Sequence, residues 1–200
     1  MSQPDHIMAL DIPFPDVDTM PDDLRKYFAV CEEKLGLLPN VLKAYSHDAD
    51  QLRTFSRFYN ALMFGESGLS ALEREMIAVV VSSANRCFYC LTAHGNAVRE
   101  YSGDPILGEL MVMNYRAATL SRRHRAMLDF AWKLTAEPHA VDEEDRQTLR
   151  EAGFAEKDIW DIANVAGFYN MTNRVASAVD MQPNREYHGR NRDGGTAGDH

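Results

Sequence analysis

Two cysteines and a histidine follow one another at the spacing of a single helical face. Cys87, Cys90 and His94 form the pattern C-x2-C-x3-H. At about 100° per residue on a helix, His94 lies about 40° from Cys90 and about 20° from Cys87, so the three share one stripe. A thiolate is a nucleophile, and a histidine one turn away can accept a thiol proton. The pattern therefore predicts redox chemistry or a metal site.

The position of the cysteines along the chain favours redox chemistry. A helix is predicted to open at or near Cys87 and to continue to about Tyr101, before the sequence Ser-Gly-Asp-Pro. Free backbone amides and the positive end of the helix dipole lower the pKa of a thiol at such a place, which increases its thiolate population. By this argument Cys87, which is nearer to the free amides, is the more acidic thiol.

A carboxylate on the preceding predicted helix completes the candidate site. Glu75 belongs to a helix predicted over Ala71 to Ala84. If the turn at Asn85 and Arg86 folds the two helices against each other, Glu75 comes within side-chain reach of His94. A carboxylate in that position can fix the tautomer and the orientation of the imidazole.

The same side chains are also an acceptable set of zinc ligands. Cys87, Cys90, His94 and Glu75 supply two thiolates, an imidazole and a carboxylate, and structural zinc is bound by four ligands of these kinds. A zinc-bound or redox-sensing module without enzymatic activity is therefore the alternative. We favour redox chemistry, because two cysteines and a histidine on one stripe are a costly combination for a merely structural core.

The rest of the chain is typical of an all-α protein. Apolar residues recur every three or four positions, and no alternating strand pattern of any length is found. Ser70 and Glu73 stand in the order of a capping box, in which a hydroxyl and a carboxylate bind the free amides of a helix start. The other helices are predicted to begin near residues 21 and 41 and to cover about 49–64, 106–114, 121–135, 142–152 and 157–178.

Composition divides the chain into three parts. Residues 1–20 are rich in Pro and Asp and predict an extended arm, since proline lacks the backbone donor that a helix needs. Residues 21–183 predict a single all-helical domain. Residues 184–200, which are polar and rich in glycine, predict a flexible tail.

Most aromatic residues are expected in the hydrophobic core. Trp132 and Trp160 are expected there, as is the third cysteine, Cys31. A core position is also favoured over a substrate pocket for an aromatic set at helical spacing, which comprises Phe55, Phe58, Tyr59 and Phe64.

Charge and hydropathy argue against several classes of function. The 200 residues contain 21 Lys and Arg against 30 Asp and Glu, a net charge of −9, whereas a phosphate backbone attracts the opposite balance. The longest apolar run, 76–81, is far shorter than the roughly 20 residues of a membrane span. Neither nucleic acid nor a membrane is expected as a partner. Because a secretory signal is also not found and three cysteines cannot form a disulfide framework, a cytoplasmic location is expected.

The segment that contains these residues resembles a known family. The run from Leu72 to His94 is similar to the alkylhydroperoxidase D-like branch of the carboxymuconolactone decarboxylase superfamily, and within it to the proteins called peroxidase-related. Weaker similarities lie at Gly36 to Asn40 and at Phe168 to Val175. The resemblance thus extends from about residue 35 to residue 183.

The resemblance implies an all-α helical bundle that assembles into trimers or hexamers, with a peroxide-reducing dithiol site that uses neither metal nor flavin. By position, Cys90 would attack the peroxide and become a sulfenic acid, and Cys87 would resolve it to a disulfide. His94 would be the base and Glu75 the proton-relay carboxylate. Tyr89, also a candidate site residue, stands where better-studied members often have a second histidine, and tyrosine is a poor base at neutral pH.

These observations together predict a thiol-dependent peroxidase. It would reduce hydroperoxides through a Cys87–Cys90 dithiol–disulfide cycle, with an external dithiol as the reductant and without a cofactor. Lactone decarboxylation, a reaction of the same superfamily, is the other enzymatic alternative; it uses no dithiol, so the two cysteines count against it.

Overall fold

Nine α-helices make up most of residues 3–193, which are the residues described by the computed structural model. No β-strand occurs in this part of the chain, so the prediction of an all-α fold is confirmed. None of its helices is long and apolar enough to cross a membrane. The helices are α1 (Asp22–Leu35), α2 (Asn40–Tyr45), α3 (Ala49–Phe64), α4 (Ala71–Asn85), α5 (Phe88–Ser102), α6 (Pro105–Asn114), α7 (Arg122–Ala136), α8 (Glu143–Glu151) and α9 (Glu156–Ala178).

The central helix of the fold is α4. Ten consecutive residues, from Glu73 to Ser82, are buried, because α5, α6, α7 and α9 all pack against it. A helix enclosed in this way must be apolar on nearly every side, and the run from Met76 to Val81 meets that requirement. The capping box at its start is present: the Glu73 N–H donates to Ser70 Oγ, and the Ser70 N–H donates to the Glu73 carboxylate.

A tight turn folds α5 back along α4. Arg86 adopts the left-handed region with φ of 55°, and its N–H donates to the carbonyls that end α4. Cys87 then takes an extended conformation, and its N–H donates to the Ser82 carbonyl at 3.0 Å. The two helices therefore pack side by side, which is the arrangement that the Glu75–His94 hypothesis requires.

The N-terminal arm lies along the segment that follows α9. Two backbone hydrogen bonds join them, from the Ala9 N–H to the Val179 carbonyl and from the Gln182 N–H to the Ile7 carbonyl. Met8 is buried in a hydrophobic cluster that also contains Cys87 and Cys90. The arm thus contributes to the hydrophobic cluster around the dithiol.

Residues 184–193 differ from the predicted flexible tail. Tyr187 is buried within a short 3-10 helix, and the Asn184 side chain ties this segment to the start of the fold. It accepts a hydrogen bond from the Asn40 N–H and donates one to the Leu38 carbonyl. The flexible tail was predicted from amino-acid composition, which gives no information about such hydrogen bonds. Residues 194–200, the rest of the predicted tail, lie outside the described residues.

One of the two tryptophans is not in the core. Trp132 is partly buried and packs against the main hydrophobic cluster, but the side chain of Trp160 is 69% exposed. The expectation for Trp160 was wrong, because it lies on the face of α9 that no other described helix covers.

Candidate functional site

The two cysteines of the C-x2-C pattern lie at the start of α5, as the spacing predicts. Cys87 is the N-cap residue and Cys90 lies in the first turn. Both side chains are buried, and both thiols are free. The dithiol is therefore held at the place where free backbone amides act on sulfur.

The two thiols differ in acidity. The neighbouring Cys90 thiol, and after it the Cys90 N–H, lowers the pKa of Cys87 to about 6 although burial opposes the shift. The neighbouring Cys87 sulfur and burial raise the pKa of Cys90 well above its usual value. Cys87 is therefore the more acidic of the two thiols, in agreement with the helix-start argument.

His94 and Glu75 form a hydrogen-bonded pair across the α4–α5 interface. The distance from His94 Nδ1 to Glu75 Oε2 is 2.7 Å, and the carboxylate is buried. A carboxylate only accepts hydrogen bonds, so Nδ1 carries the hydrogen and Nε2 is left as the basic nitrogen. The structure thus brings together two residues that the sequence could pair only on condition of the turn.

A cavity of about 610 Å³ gives access to this site. Its lining includes Cys90, His94 and Glu75 but not Cys87. The volume is that of a pocket for a small organic molecule. The two cysteines therefore differ in access: a ligand in the cavity can reach Cys90, whereas Cys87 is not part of the cavity wall.

Aromatic side chains form part of the cavity wall. Of the four aromatic residues of α3 that were expected in the core, Phe55, Tyr59 and Phe64 line the cavity, and Phe55 and Tyr59 also pack against the main hydrophobic cluster. The Phe55 ring stacks on Tyr45 at 4.4 Å between centroids and lies 5.6 Å from Phe168. The set therefore belongs both to the core and to the pocket, because helical spacing does not distinguish a side chain packed on neighbours from one facing a void.

Polar residues behind Cys90 form a connected set that the motif does not reveal. The Asn173 amide donates to Ser82 Oγ at 3.0 Å, and the Asn85 amide donates to Asn173 Oδ1 at 3.0 Å. The side chains of Asn173 and Ser82 counteract part of the rise in the pKa of Cys90. Asn173 comes from α9, far along the chain, so no spacing within the C-x2-C-x3-H pattern could indicate it.

Tyr89 is held as a structural hydrogen-bond acceptor. Its hydroxyl accepts a hydrogen bond of 3.0 Å from the Val41 N–H, one of the amides that a helix start leaves unpaired. Burial raises the pKa of Tyr89 well above its usual value. The side chain lines the cavity, but it stays protonated and does not act as a base at neutral pH.

The zinc alternative requires its four candidate ligands to converge. Within residues 3–193, no group of three or more His, Cys, Asp or Glu side chains is placed to hold a metal ion. Cys87 and Cys90 are instead neighbours at the start of α5, and the His94 imidazole is paired with the Glu75 carboxylate.

Comparisons with known proteins identify the family. The model of the carboxymuconolactone decarboxylase family matches residues 49–105, which include all of the candidate site residues. The structure of a peroxidase-related protein from Silicibacter sp. TM1040 is 60% identical, with a TM-score of 0.92 over 96% of this chain and 100% of that chain. A search of curated proteins finds no significant match.

Two further structures are similar to this chain. A peroxidase-related protein from Ralstonia eutropha JMP134, described as an alkylhydroperoxidase AhpD core, is 40% identical with a TM-score of 0.89 over 94% of this chain and 97% of that chain. The debrominase Bmp8, solved as a variant in complex with 2,3,4-tribromopyrrole, is 19% identical with a TM-score of 0.78 over 92% and 97%; that likeness shows the fold alone. The chain belongs to the alkylhydroperoxidase D-like branch of the carboxymuconolactone decarboxylase superfamily, as the sequence predicts.

Proposed function

We propose that this protein is a thiol-dependent peroxidase that reduces hydroperoxides through a Cys87–Cys90 dithiol–disulfide cycle. The observation that carries the proposal is the difference between the two cysteines. Cys90 lines a cavity together with the His94–Glu75 pair. Cys87 does not line the cavity, and its pKa is lowered to about 6. The peroxidase-related relatives support the same reaction class.

In the first step, Cys90 attacks the hydroperoxide. His94 Nε2 takes the thiol proton, and Glu75 stabilises the imidazolium that results. The Cys90 sulfur bonds to the terminal oxygen, the O–O bond breaks, and the leaving alkoxide takes the proton from His94. The products are an alcohol and a sulfenic acid on Cys90.

In the second step, the Cys87 thiolate attacks the sulfenic sulfur of Cys90. The S–S bond forms, the S–O bond breaks, and the departing hydroxide takes one proton from solvent to become water. The two cysteines are neighbours in one buried cluster at the start of α5, so this step needs little movement. An external dithiol then reduces the disulfide by exchange and is itself oxidised to a disulfide.

Thiol counting on denatured protein tests the cycle. One equivalent of cumene hydroperoxide should lower the wild-type count from three thiols to one, and dithiothreitol should restore three. Cys31→Ser is the matched control: Cys31 lies in α1 and is only partly buried, and its variant should fall from two thiols to none. Cys90→Ser should lose peroxide consumption, whereas Cys87→Ser should react once and stop at a sulfenic acid that dimedone traps.

Two outcomes would overturn the proposal. Unchanged thiols with one equivalent of zinc in protein purified without added metal would establish the zinc-bound alternative. Unchanged thiols without zinc, combined with decarboxylation of a carboxylated lactone, would establish the lactone decarboxylase alternative.

We further propose that the protein works in the cytoplasm as a homo-oligomer, a trimer or a hexamer. The support is an apolar stripe on the uncovered face of α9, where Trp160, Met171 and Val175 are all exposed within about 60° of one another. Sedimentation velocity should give a species of three or six chains, and a monomer at micromolar concentration would contradict the proposal.

A further inference from the structure

Tyr169 of α9 has a hydroxyl with no hydrogen-bond partner. The residue is 2% exposed, and its Oη is among the few buried side-chain polar atoms of the described residues that lack a partner. A buried hydroxyl without a partner costs stability, so one that is kept calls for an explanation.

The location of Tyr169 supplies an explanation. It lines the same cavity as Cys90 and Glu75, and its ring stands edge-on to the His94 ring with centroids 4.6 Å apart. Burial raises the pKa of Tyr169 well above its usual value, and the next largest influence is the charge of Glu75. The hydroxyl therefore keeps its proton and is a donor beside the dithiol.

Tyr115 is a buried tyrosine whose hydroxyl has a hydrogen-bond acceptor within the fold. Tyr115 is 1% exposed, and its hydroxyl donates to Asp129 Oδ1 at 2.7 Å. It is not part of the cavity lining. The two tyrosines are matched in burial and differ in that no described residue accepts a hydrogen bond from Tyr169. Because the Tyr169 side chain also lines the cavity, a ligand bound there is a candidate acceptor.

We infer that Tyr169 is the hydrogen-bond donor to the substrate: its hydroxyl donates to the leaving oxygen of the bound hydroperoxide while Cys90 attacks the terminal oxygen. The inference rests on the proposed peroxidase function for the identity of this ligand. A donor at that place stabilises the negative charge that develops as the O–O bond breaks. Tyr169 keeps its own proton, and the proton of the product alcohol comes from His94.

The matched variants Tyr169→Phe and Tyr115→Phe test this role. Tyr169→Phe should lower kcat/KM for cumene hydroperoxide about tenfold or more, while Tm stays the same or rises because an unpartnered hydroxyl is removed. Tyr115→Phe should do the opposite: Tm falls by about 2–4 °C, and kcat/KM of the folded protein is unchanged. A purely structural Tyr169 would instead lower Tm and leave kcat/KM unchanged.

Binding of ligands that do not react makes the inference testable without turnover. Cumyl alcohol and tert-butylbenzene differ in that a hydroxyl replaces a methyl group, and both can be titrated by calorimetry. Tyr169→Phe should bind cumyl alcohol about three- to tenfold more weakly than wild type and tert-butylbenzene equally well. Equal affinity of wild type and Tyr169→Phe for cumyl alcohol overturns the inference. Wild type that consumes no peroxide overturns the proposed function, and the binding comparison then still decides the role of Tyr169.

Discussion

Glu73 and Glu75 are buried to the same extent on one helix, two residues apart, but their surroundings differ. The Glu73 carboxylate accepts hydrogen bonds from the Ser70 N–H at 2.8 Å and from Arg123 Nε at 2.7 Å. The Glu75 carboxylate is paired with the titratable ring of His94 and otherwise faces the cavity. A carboxylate whose hydrogen bonds are supplied by the fold stabilises the fold, whereas one that shares a proton with a histidine beside a cavity is available for chemistry.

The surroundings of Glu73 explain why it is structural. Its partner Arg123 also donates to the carbonyls of Gly68 and Gly153, and its guanidinium lies 3.7 Å from the centre of the Phe154 ring. These contacts join the start of α4 to α7 and to the loop before α9. The region around Glu73 therefore holds helices together, and the region around Glu75 holds the groups that take part in the proposed reaction.

The largest expected effect is the loss of activity in Glu75→Gln. Glutamine has the same shape but cannot stabilise an imidazolium, and its amide can impose the wrong tautomer on His94. We expect kcat/KM for cumene hydroperoxide to fall by about 10²–10⁴-fold, with Tm little changed. Stopped-flow kinetics and a thermal melt on the same sample measure both. A large loss of stability with activity retained would show that Glu75, like Glu73, stabilises the fold and does not take part in the reaction.

The matching change Glu73→Gln should affect stability instead. The charged partner of Arg123 and part of the helix cap are lost, and because Arg123 is partly exposed we expect the free energy of unfolding to fall by about 2 kcal/mol. Urea unfolding measures this value. The kcat/KM of the folded protein should stay within about twofold of wild type, and a hundredfold loss would remove the distinction between the two carboxylates.

Between pH 5 and 8 the dithiol should change its charge. The pKa of Cys87 is lowered to about 6, chiefly by the neighbouring Cys90 thiol, and that of Glu73 is lowered from an already acidic value. Disulfide formation in a single turnover should therefore slow about tenfold between pH 7 and pH 5, in step with the thiolate fraction. Thiolate absorbance near 240 nm gives the midpoint. Cys90→Ala should raise that midpoint, and a wild-type midpoint near 8.5 would contradict the arrangement.

The same shift has a consequence for stability. Because the pKa of Cys87 is lower in the folded protein than in the unfolded chain, its thiolate stabilises the folded state above the unfolded value of about 8.5. That contribution is lost as the pH falls to about 6. Urea unfolding of Cys87→Ser should lack this part of the pH dependence.

The smallest effect is expected for Tyr89→Phe. The change leaves the Val41 N–H without its acceptor, so the free energy of unfolding should fall by about 1 kcal/mol. The kcat/KM should change by no more than about twofold, since a protonated tyrosine supplies no base. A tenfold loss of activity at unchanged stability would show instead that Tyr89 takes part in the reaction.

Local spacing predicted one half of the site and missed the other. Cys87, Cys90 and His94 lie on one helix, where a fixed angle per residue decides which side chains share a face. Glu75 could be paired with them only on condition of a turn. Spacing could not place Tyr169 and Asn173 at the site, because they come from α9, and the spacing within one helix carries no information about which distant helix packs against it. Only the weaker family similarity at Phe168 to Val175 pointed to this stretch.

The arm and the segment after α9 also bear on the order of folding. The hydrogen bond from Ala9 to Val179 joins residues 170 positions apart, and closing so long a loop becomes favourable only after the helices between them are packed. During synthesis the arm leaves the ribosome before residues 179–182 and must wait for them before it can dock. The packing of Met8 into the cluster that contains the dithiol is therefore among the last contacts to be made, and the cluster stays open on that side until synthesis has passed residue 182.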